Sequence, residues 1–376
     1  DKKHIRATKN EVLLVLDLGS SHLEELNDLP NDVYIIDHHK FEGEPKEDTH
    51  LLNFGQEDNI SASGLTYLFS KKIRGKDQEL ANLGVIGMVG DTLEEPTKLG
   101  EKVIEDASMK IKKGLQLYPA TRPIHKALEF SSSLYIPGVT GNSQGVYNLL
   151  NGSGIKKREK GYKRLIDLEK EESKKLIENI VLRTNKSEEE ITGNIYIVEF
   201  FDRKKDAREI SAMINACSRL GHPTTALLLC LKREGAKKEV ERIYANYKQR
   251  LVSALNYAEK YMQKEKTYVL LNGRDKIKDT IIGTVASILS NSKKVEDGKT
   301  IIAMAYDEDK IKISARLAGE KGKNVREVLK EIIKRMDKDY GFGGHPGAAG
   351  CQIPKSEEEN FIQNMKEVLK LDIVKV

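Results

Sequence analysis

Two short apolar runs that each stop at an aspartate constrain this chain most. "EVLLVLDLGS" (11–20) reaches Asp17 before a Gly and a Ser, and "DVYIIDHH" (32–39) reaches Asp37, followed at once by His38 and His39. Unbroken apolar runs of this length are typical of strands buried on both faces of a parallel sheet. "LEELNDL" between them reads as a short helix, and "SASGLTYLFSKKI" and "DQELANLGVIGMVGDT" read as longer ones. The alternation predicts an α/β layer built from right-handed crossovers. Ligands of such sheets gather at the carboxyl ends of the strands, where Asp17 and Asp37-His38-His39 fall.

A third polar group joins them. Asp91 sits in "GMVGDT", where an apolar helix ends. Carboxylates combined with an imidazole form a ligand set that suits manganese, or magnesium with less histidine, better than calcium or structural zinc. Each element alone also fits a plain turn or cap. The metal reading rests on three of them recurring in one domain, at positions that converge if the sheet forms.

Downstream, "SSSLYIPGVTGNSQGVYNLLNGSGI" (131–155) is rich in Gly, Ser and Asn and reads as a boundary. Residues 156 to about 183 read as helical. "IKKREKGYKR" (155–164) and "EKEESKKLIE" after it read as exposed helical faces. "GNIYIVEF" reads as a strand, and "DAREISAMINACSRLGHPTTALLLCL" as a helix, a turn and a strand. Residues 237–264 form a long amphipathic helix. The last segment alternates strands ("TYVLLNG", "TIIAMAYDE", "KIKISARLA") with helices ("TIIGTVASILSN", "NVREVLKEIIKRM"), as a smaller α/β domain would.

Near the carboxyl terminus, "YGFGGHPGAAG" (340–350) offers glycines, including Gly343 and Gly344, that let a backbone approach an anion, and His345 adds a side-chain donor. Upstream, "KISARLA" places Ser314 and Arg316 on one side of a strand, because they are two apart. Arg316 can grip a phosphate in bidentate fashion or stand as a solvated strand residue.

Composition narrows the classes. The 376 residues are too many for one ordinary core and suit two or three domains. No run approaches the ~20 apolar residues of a membrane span. "DKKHIRATKN" lacks an initiator Met and a signal pattern, so the chain reads as cytosolic and as starting inside a longer natural protein. Cys217, Cys230 and Cys351 are scattered, without a disulfide framework or zinc spacing, and read as small buried hydrophobes. A net charge of +5 permits a polyanionic partner without requiring one.

Taken together, "VLDLGS", "DHH", "GMVGDT", "ISAR" and "GGHPGAAG" stand in the order seen in the DHH phosphoesterase superfamily. "TRPIHKAL" (121–128) and "DAREISAMINACSRLGHP" (206–223) resemble its archaeal RecJ-like, GINS-associated nuclease branch. The resemblance implies an α/β fold: a parallel-sheet DHH domain (1–135), an α/β insertion and connecting helix (136–262), and a smaller α/β DHH-associated substrate domain (263–376). It implies two manganese ions, with magnesium as a substitute, bridged by Asp17, with His38 and Asp91 completing one shell. His39 would contact the scissile phosphate and Asp37 would orient a histidine. Ser314, Arg316, Gly343, Gly344 and His345 would hold phosphates.

The implied activity is exonucleolytic cleavage of single-stranded DNA or RNA in repair and replication. Two further readings are hydrolysis of short oligonucleotides or cyclic dinucleotides, and a non-catalytic scaffold for GINS and the replicative helicase. The family's first motif, Asp-x-Asp-Gly with a nearby His, has no counterpart before Asp17. Its absence removes metal ligands, and truncation ahead of the first residue is the expected cause.

Overall fold

The computed structural model describes residues 12–370, except 42, 55–57, 59, 92–96, 132, 133, 135, 160, 185, 202, 293, 320 and 339. The opening "DKKHIRATKN" and Thr92 therefore lie outside the described residues. The chain forms two compact units, Asp1–Ile214 with Cys230–Lys232, and Asn215–Leu229 with Arg233–Val376.

The first unit begins with a parallel sheet of β1 (Val12–Leu16), β2 (Asp32–Ile36) and β3 (Thr49–Leu52), in that order. Helix α1 (Leu23–Asn27) closes one face, where Leu23 and Leu26 bury Val33 and Ile35 with Leu13, Val15 and Leu51 against them. The other face of β1 is open: Val12, Leu14 and Leu16 are 55%, 48% and 43% exposed. The expectation of strands buried on both faces thus holds for β2 and fails for β1. Among the described residues β1 is the outer strand of the sheet, and only one of its two side-chain rows meets the core. The pattern of apolar runs missed β3, whose four residues include only two apolar ones.

Helices α2 (Ala62–Arg74) and α3 (Gln78–Gly90) follow, capped by Ser61 and by Asp77. Their backbones approach closely because α3 offers glycine to Ser63. Ser63 Oγ donates to the Gly84 carbonyl at 3.2 Å, and a Cβ on Gly87 would lie 2.1 Å from that oxygen. This contact fixes the end of α3 and so the position of Asp91. Helix α4 (Lys98–Asp106) completes the group, with Asp106 accepting from Tyr67 of α2 at 2.9 Å.

The rest of the unit is built on the antiparallel sheet of β4 (Lys110–Leu115), β5 (Thr192–Phe200) and β6 (Arg203–Asp206). Around it lie α5 (Ile124–Glu129), α6 (Ser143–Gly152) and α7 (Lys170–Val181). The stretch 131–155, read as a boundary, is packed core: Ile136, Val139, Val146, Leu149, Leu150 and Ile155 are buried in one cluster with Leu115 and Ile197. Its polar residues serve geometry. Asn142 caps α6, and Gly145 has no Cβ because one would collide with the Gly138 carbonyl.

The helix expected over 156–183 begins only at Lys170. Before it, the Arg158–Gly161 turn breaks the run, with Gly161 at φ +99°. Helix α8 (Ala207–Arg219) leads out of the sheet. The strand expected after "LGHP" is a helix, α9 (Pro223–Cys230). A proline is at home in the first turn of a helix, and a short apolar run fits a buried strand and a helix equally well.

The second unit takes in the end of α8 and most of α9 and continues into the 26-residue helix α10 (Ala236–Tyr261). Its six-stranded sheet runs β11 (Phe342–His345), β12 (Ala348–Pro354), β10 (Lys310–Leu317), β9 (Thr300–Asp307), β8 (Tyr268–Asn272), β7 (Gln263–Lys264). Only β8 and β9 pair in parallel. Helices α10 and α11 (Asp279–Ser290) pack on one face; α12 (Val325–Arg335) and α13 (Glu358–Lys370) pack on the other. Alternation along β10 sends Ile311, Ile313 and Ala315 into the α12–α13 core and turns Ser314 and Arg316 toward α11. Among the described residues, no helix is long and apolar enough to cross a membrane.

Candidate metal centre

The register of the first sheet aligns the last residues of its strands: Leu16 faces Ile36, and Ile36 faces Leu52. The next residues, Asp17, Asp37 and Asn53, therefore stand in a row at the carboxyl edge. Two backbone bonds carry the ladder past the strands, from Asp17 N to Ile36 O (2.9 Å) and from Asp37 N to Leu52 O (3.2 Å). Asp17 then turns sharply at φ +58°, a left-handed conformation that aspartate tolerates better than most residues.

Asp37 is an internal anchor, with its side chain 1% exposed. Its Oδ1 accepts from the His38 amide (2.7 Å), the His39 amide (3.2 Å) and His39 Nδ1 (2.7 Å), and its Oδ2 accepts from the Ser20 amide (3.0 Å). Burial opposes ionisation, yet the bonds from Ser20 and His39 outweigh it and hold the carboxyl at about 2. A carboxylate can only accept, so His39 donates to it from Nδ1, and the neutral form of the ring then has its lone pair on Nε2.

Asp17, His38 and His39 each direct one ligand atom into a common space, all within 4.8 Å of one another. His38 Nε2 lies 3.5 Å from Asp17 Oδ1. One aspartate oxygen and two imidazole nitrogens at this spacing fit a divalent transition-metal ion. Asp91 stands close enough to feel all three. Loss of solvation pushes its carboxyl up, the Asp17 charge adds to that, and His38 and His39 oppose it. The structure thus brings Asp17, His38, His39 and Asp91 to one edge, with Asp37 beneath as the orienting group.

Reading the sequence overlooked Ser20 and Asn53. Asn53 Nδ2 donates to Ser20 Oγ (3.0 Å) and to the His39 carbonyl (2.7 Å), tying the two loops together. The rule that picked out Asp17 and Asp37, a polar residue just past an apolar strand, would have found Asn53 had β3 been recognised.

The other sequence-selected residues lie in the second unit. Cross-strand pairing sets Arg316 opposite Ala348 and Ala348 opposite His345, and likewise Ser314, Gly350 and Gly343. Directly paired residues point to the same face, so Ser314, Arg316 and His345 share it with two glycines and an alanine. Gly343 has open space where a Cβ would be, whereas one on Gly344 (φ +130°) would meet the Ala348 carbonyl at 2.3 Å. Gly344 is required by the backbone; Gly343 leaves room.

Arg316 is not the solvated strand residue of the bland alternative. It is half-buried and donates from Nε to Ser287 Oγ (2.9 Å) and from Nη1 to the carbonyls of Ala315 (2.8 Å) and Ala349 (3.4 Å). Burial and the nearby Arg219 charge push its pKa down. Every acceptor it uses is neutral. Ser287 and Gly283, which packs beside Ser314 and Arg316, were also missed, because an apolar helix gives no sign of which small residue faces a cation.

Comparison with known proteins agrees with this layout. Residues 117–192 match the DHH-CID domain family and 257–371 match the DHHA1 domain family. The chain is 25% identical to an uncharacterized protein of Methanocaldococcus jannaschii, covering 96% of this chain and 82% of that one. Among solved structures, it resembles Thermus thermophilus RecJ in complex with Mn2+ (TM-score 0.57, 18% identity) over 98% of its own length. It spans only 46% of that RecJ chain. It also resembles CDC45 from Entamoeba histolytica (TM-score 0.61, 13% identity), covering 98% of this chain and 86% of that one. The two matched domain families, in chain order, place the chain in the DHH phosphoesterase superfamily, and its fold is RecJ-like.

Proposed function

We propose that this chain is a manganese-dependent exonuclease that hydrolyses phosphodiester bonds of single-stranded DNA or RNA, acting in the cytoplasm in DNA repair and replication. The observation that carries this reading is the convergence of Asp17, His38 and His39 over a buried, charged Asp37. Asp17, His38 and Asp91 would hold the metal. Of the two manganese ions proposed, the second would share Asp17, and magnesium would substitute. When bound, such an ion polarises a phosphoryl oxygen and activates water. His39, pinned through Nδ1 by Asp37, would present Nε2 to the scissile phosphate. Ser314, Arg316 and His345, with the space left by Gly343 and the turn made by Gly344, would bind backbone phosphates. The half-buried Arg316, satisfied only by neutral acceptors, supports that role. The proposed functional division is 1–135 for the chemistry, 136–262 for the insertion and connecting helix, and 263–376 for substrate binding.

The likeness to CDC45 favours a second reading, a non-catalytic replication scaffold that docks GINS and the replicative helicase. An end-labelled single strand and a dinucleotide, each incubated with manganese, separate the possibilities. Progressive shortening of the strand is expected, abolished by His38→Ala or Asp91→Asn with strand binding kept, whereas Arg316→Ala weakens binding itself. Activity confined to the dinucleotide would replace the reading with a short-oligonucleotide or cyclic-dinucleotide phosphodiesterase. No cleavage and no manganese uptake in calorimetry would favour the scaffold.

A further inference from the structure

The sequences "TRPIHKAL" and "DAREISA" have no part in the metal centre, yet the structure knots them together. Asp206, fully buried, accepts from the amides of Ala120 (2.9 Å) and Arg208 (3.0 Å). The Arg208 guanidinium lies 3.8 Å from the Tyr118 ring centre. Glu209, its side chain 2% exposed, accepts from Arg122 Nε (3.0 Å) and Nη2 (2.5 Å) and from Lys205 Nζ (3.2 Å). Beside this joint opens a cleft of about 380 Å³ lined by Arg122, Arg164, Arg203, Lys204, Lys205 and Glu209, with Thr121.

Two of these cations hold Glu209, and Arg164 is paired with Asp167. Arg203 and Lys204, on the exposed end of β6, form no ion pair among the described residues, though Lys204 stands across the strands from Glu199. Five basic groups against three carboxylates (Glu209, Asp167 and Glu199) leave the cleft positive. Lysines on an edge strand can serve simply to deter sheet-to-sheet pairing. That role does not call for a buried glutamate that orients an arginine from another loop.

We infer that this cleft is a second binding site for the phosphodiester backbone of a nucleic-acid strand. The inference rests on the nucleic-acid reading above. Three of the cations are arginines, whose planar forks match phosphate oxygens. The lining contains no apolar or aromatic side chain, so the aromatic anchors common at protein–protein interfaces are missing. The helix that carries Glu209 also reaches the metal centre's own framework. Ser211 packs against Gly90, where a Cβ would lie 2.5 Å from its Oγ, and Gly90 immediately precedes Asp91.

The test uses the full chain with metal chelated, so that binding is read without cleavage. Affinity for a labelled single-stranded oligonucleotide is measured across a salt series for the wild type and for the double variant Arg203→Gln/Lys204→Gln. Both residues are exposed, and an unchanged melting temperature checks the fold. Loss of two phosphate contacts should flatten the slope of log affinity against log salt by about 1.4, with affinity falling alike for unrelated sequences. An unchanged slope in the variant, with wild-type binding intact, overturns this site while leaving the nuclease reading in place. A wild type that binds no strand overturns both. If the variant loses affinity for polyglutamate but keeps it for the oligonucleotide, the cleft is a protein-docking surface and the inference fails.

Discussion

At the scale of single residues, the metal centre depends on one that touches no ligand. Asp37 takes hydrogen bonds from Ser20, His38 and His39 on a carboxylate that is almost wholly buried, and they set both the course of the loop and the orientation of His39. Its ionisation matters because an amide in its place keeps an acceptor but loses the charge. Groups that orient ligand histidines typically contribute 10–100-fold to metal affinity. Asp37→Asn should therefore weaken manganese binding by about that factor in calorimetry. Asp37 also bonds the amide of His38, the proposed ligand, so unaltered affinity would show that the loop places His38 without this carboxylate. This dependence was legible in the sequence only as a resemblance. The letters Asp-His-His give no sign that the first would be buried and the last bonded back to it, since that follows from how the turn closes over Ser20.

Among the elements, the contact between α2 and α3 decides where Asp91 stands. Glycines at 84 and 87 let Ser63 sit against the backbone of α3. Overfilling such a contact costs about 1–3 kcal/mol. Gly87→Ala should destabilise the first unit by an amount in that range, measured by denaturant unfolding. Adding Ser63→Gly should recover most of it, and a purely additive double variant would refute the steric account. Elements with a long periodic pattern, such as α2, α3 and α10, were readable from sequence. Those set by context were not: α9 has an apolar run that suits either period, β3 has too few residues, and the stretch before α7 is broken by a glycine turn.

For the whole molecule, two separate cores divide the proposed labour, and the metal should stabilise only one. Manganese at a hundred times its dissociation constant would add about 2.7 kcal/mol to the unit that binds it. Hydrogen exchange followed by mass spectrometry should show slower exchange over 13–20 and 33–40 with manganese, and no change over 342–350. Equal protection in both segments would mean that the ion does not reside at the Asp17 edge. The sequence by itself determined the alternation of strands and helices, the polar residues just past the first two strands, and the shared side of Ser314 and Arg316. All of these are local periodicities, fixed by backbone geometry. Only the tertiary structure decided that β1 leaves one face bare, that Arg316 is half-buried against α11, and that three separate segments meet in one basic cleft. These depend on which surfaces come together, and residues distant in the chain carry no mark of their future neighbours.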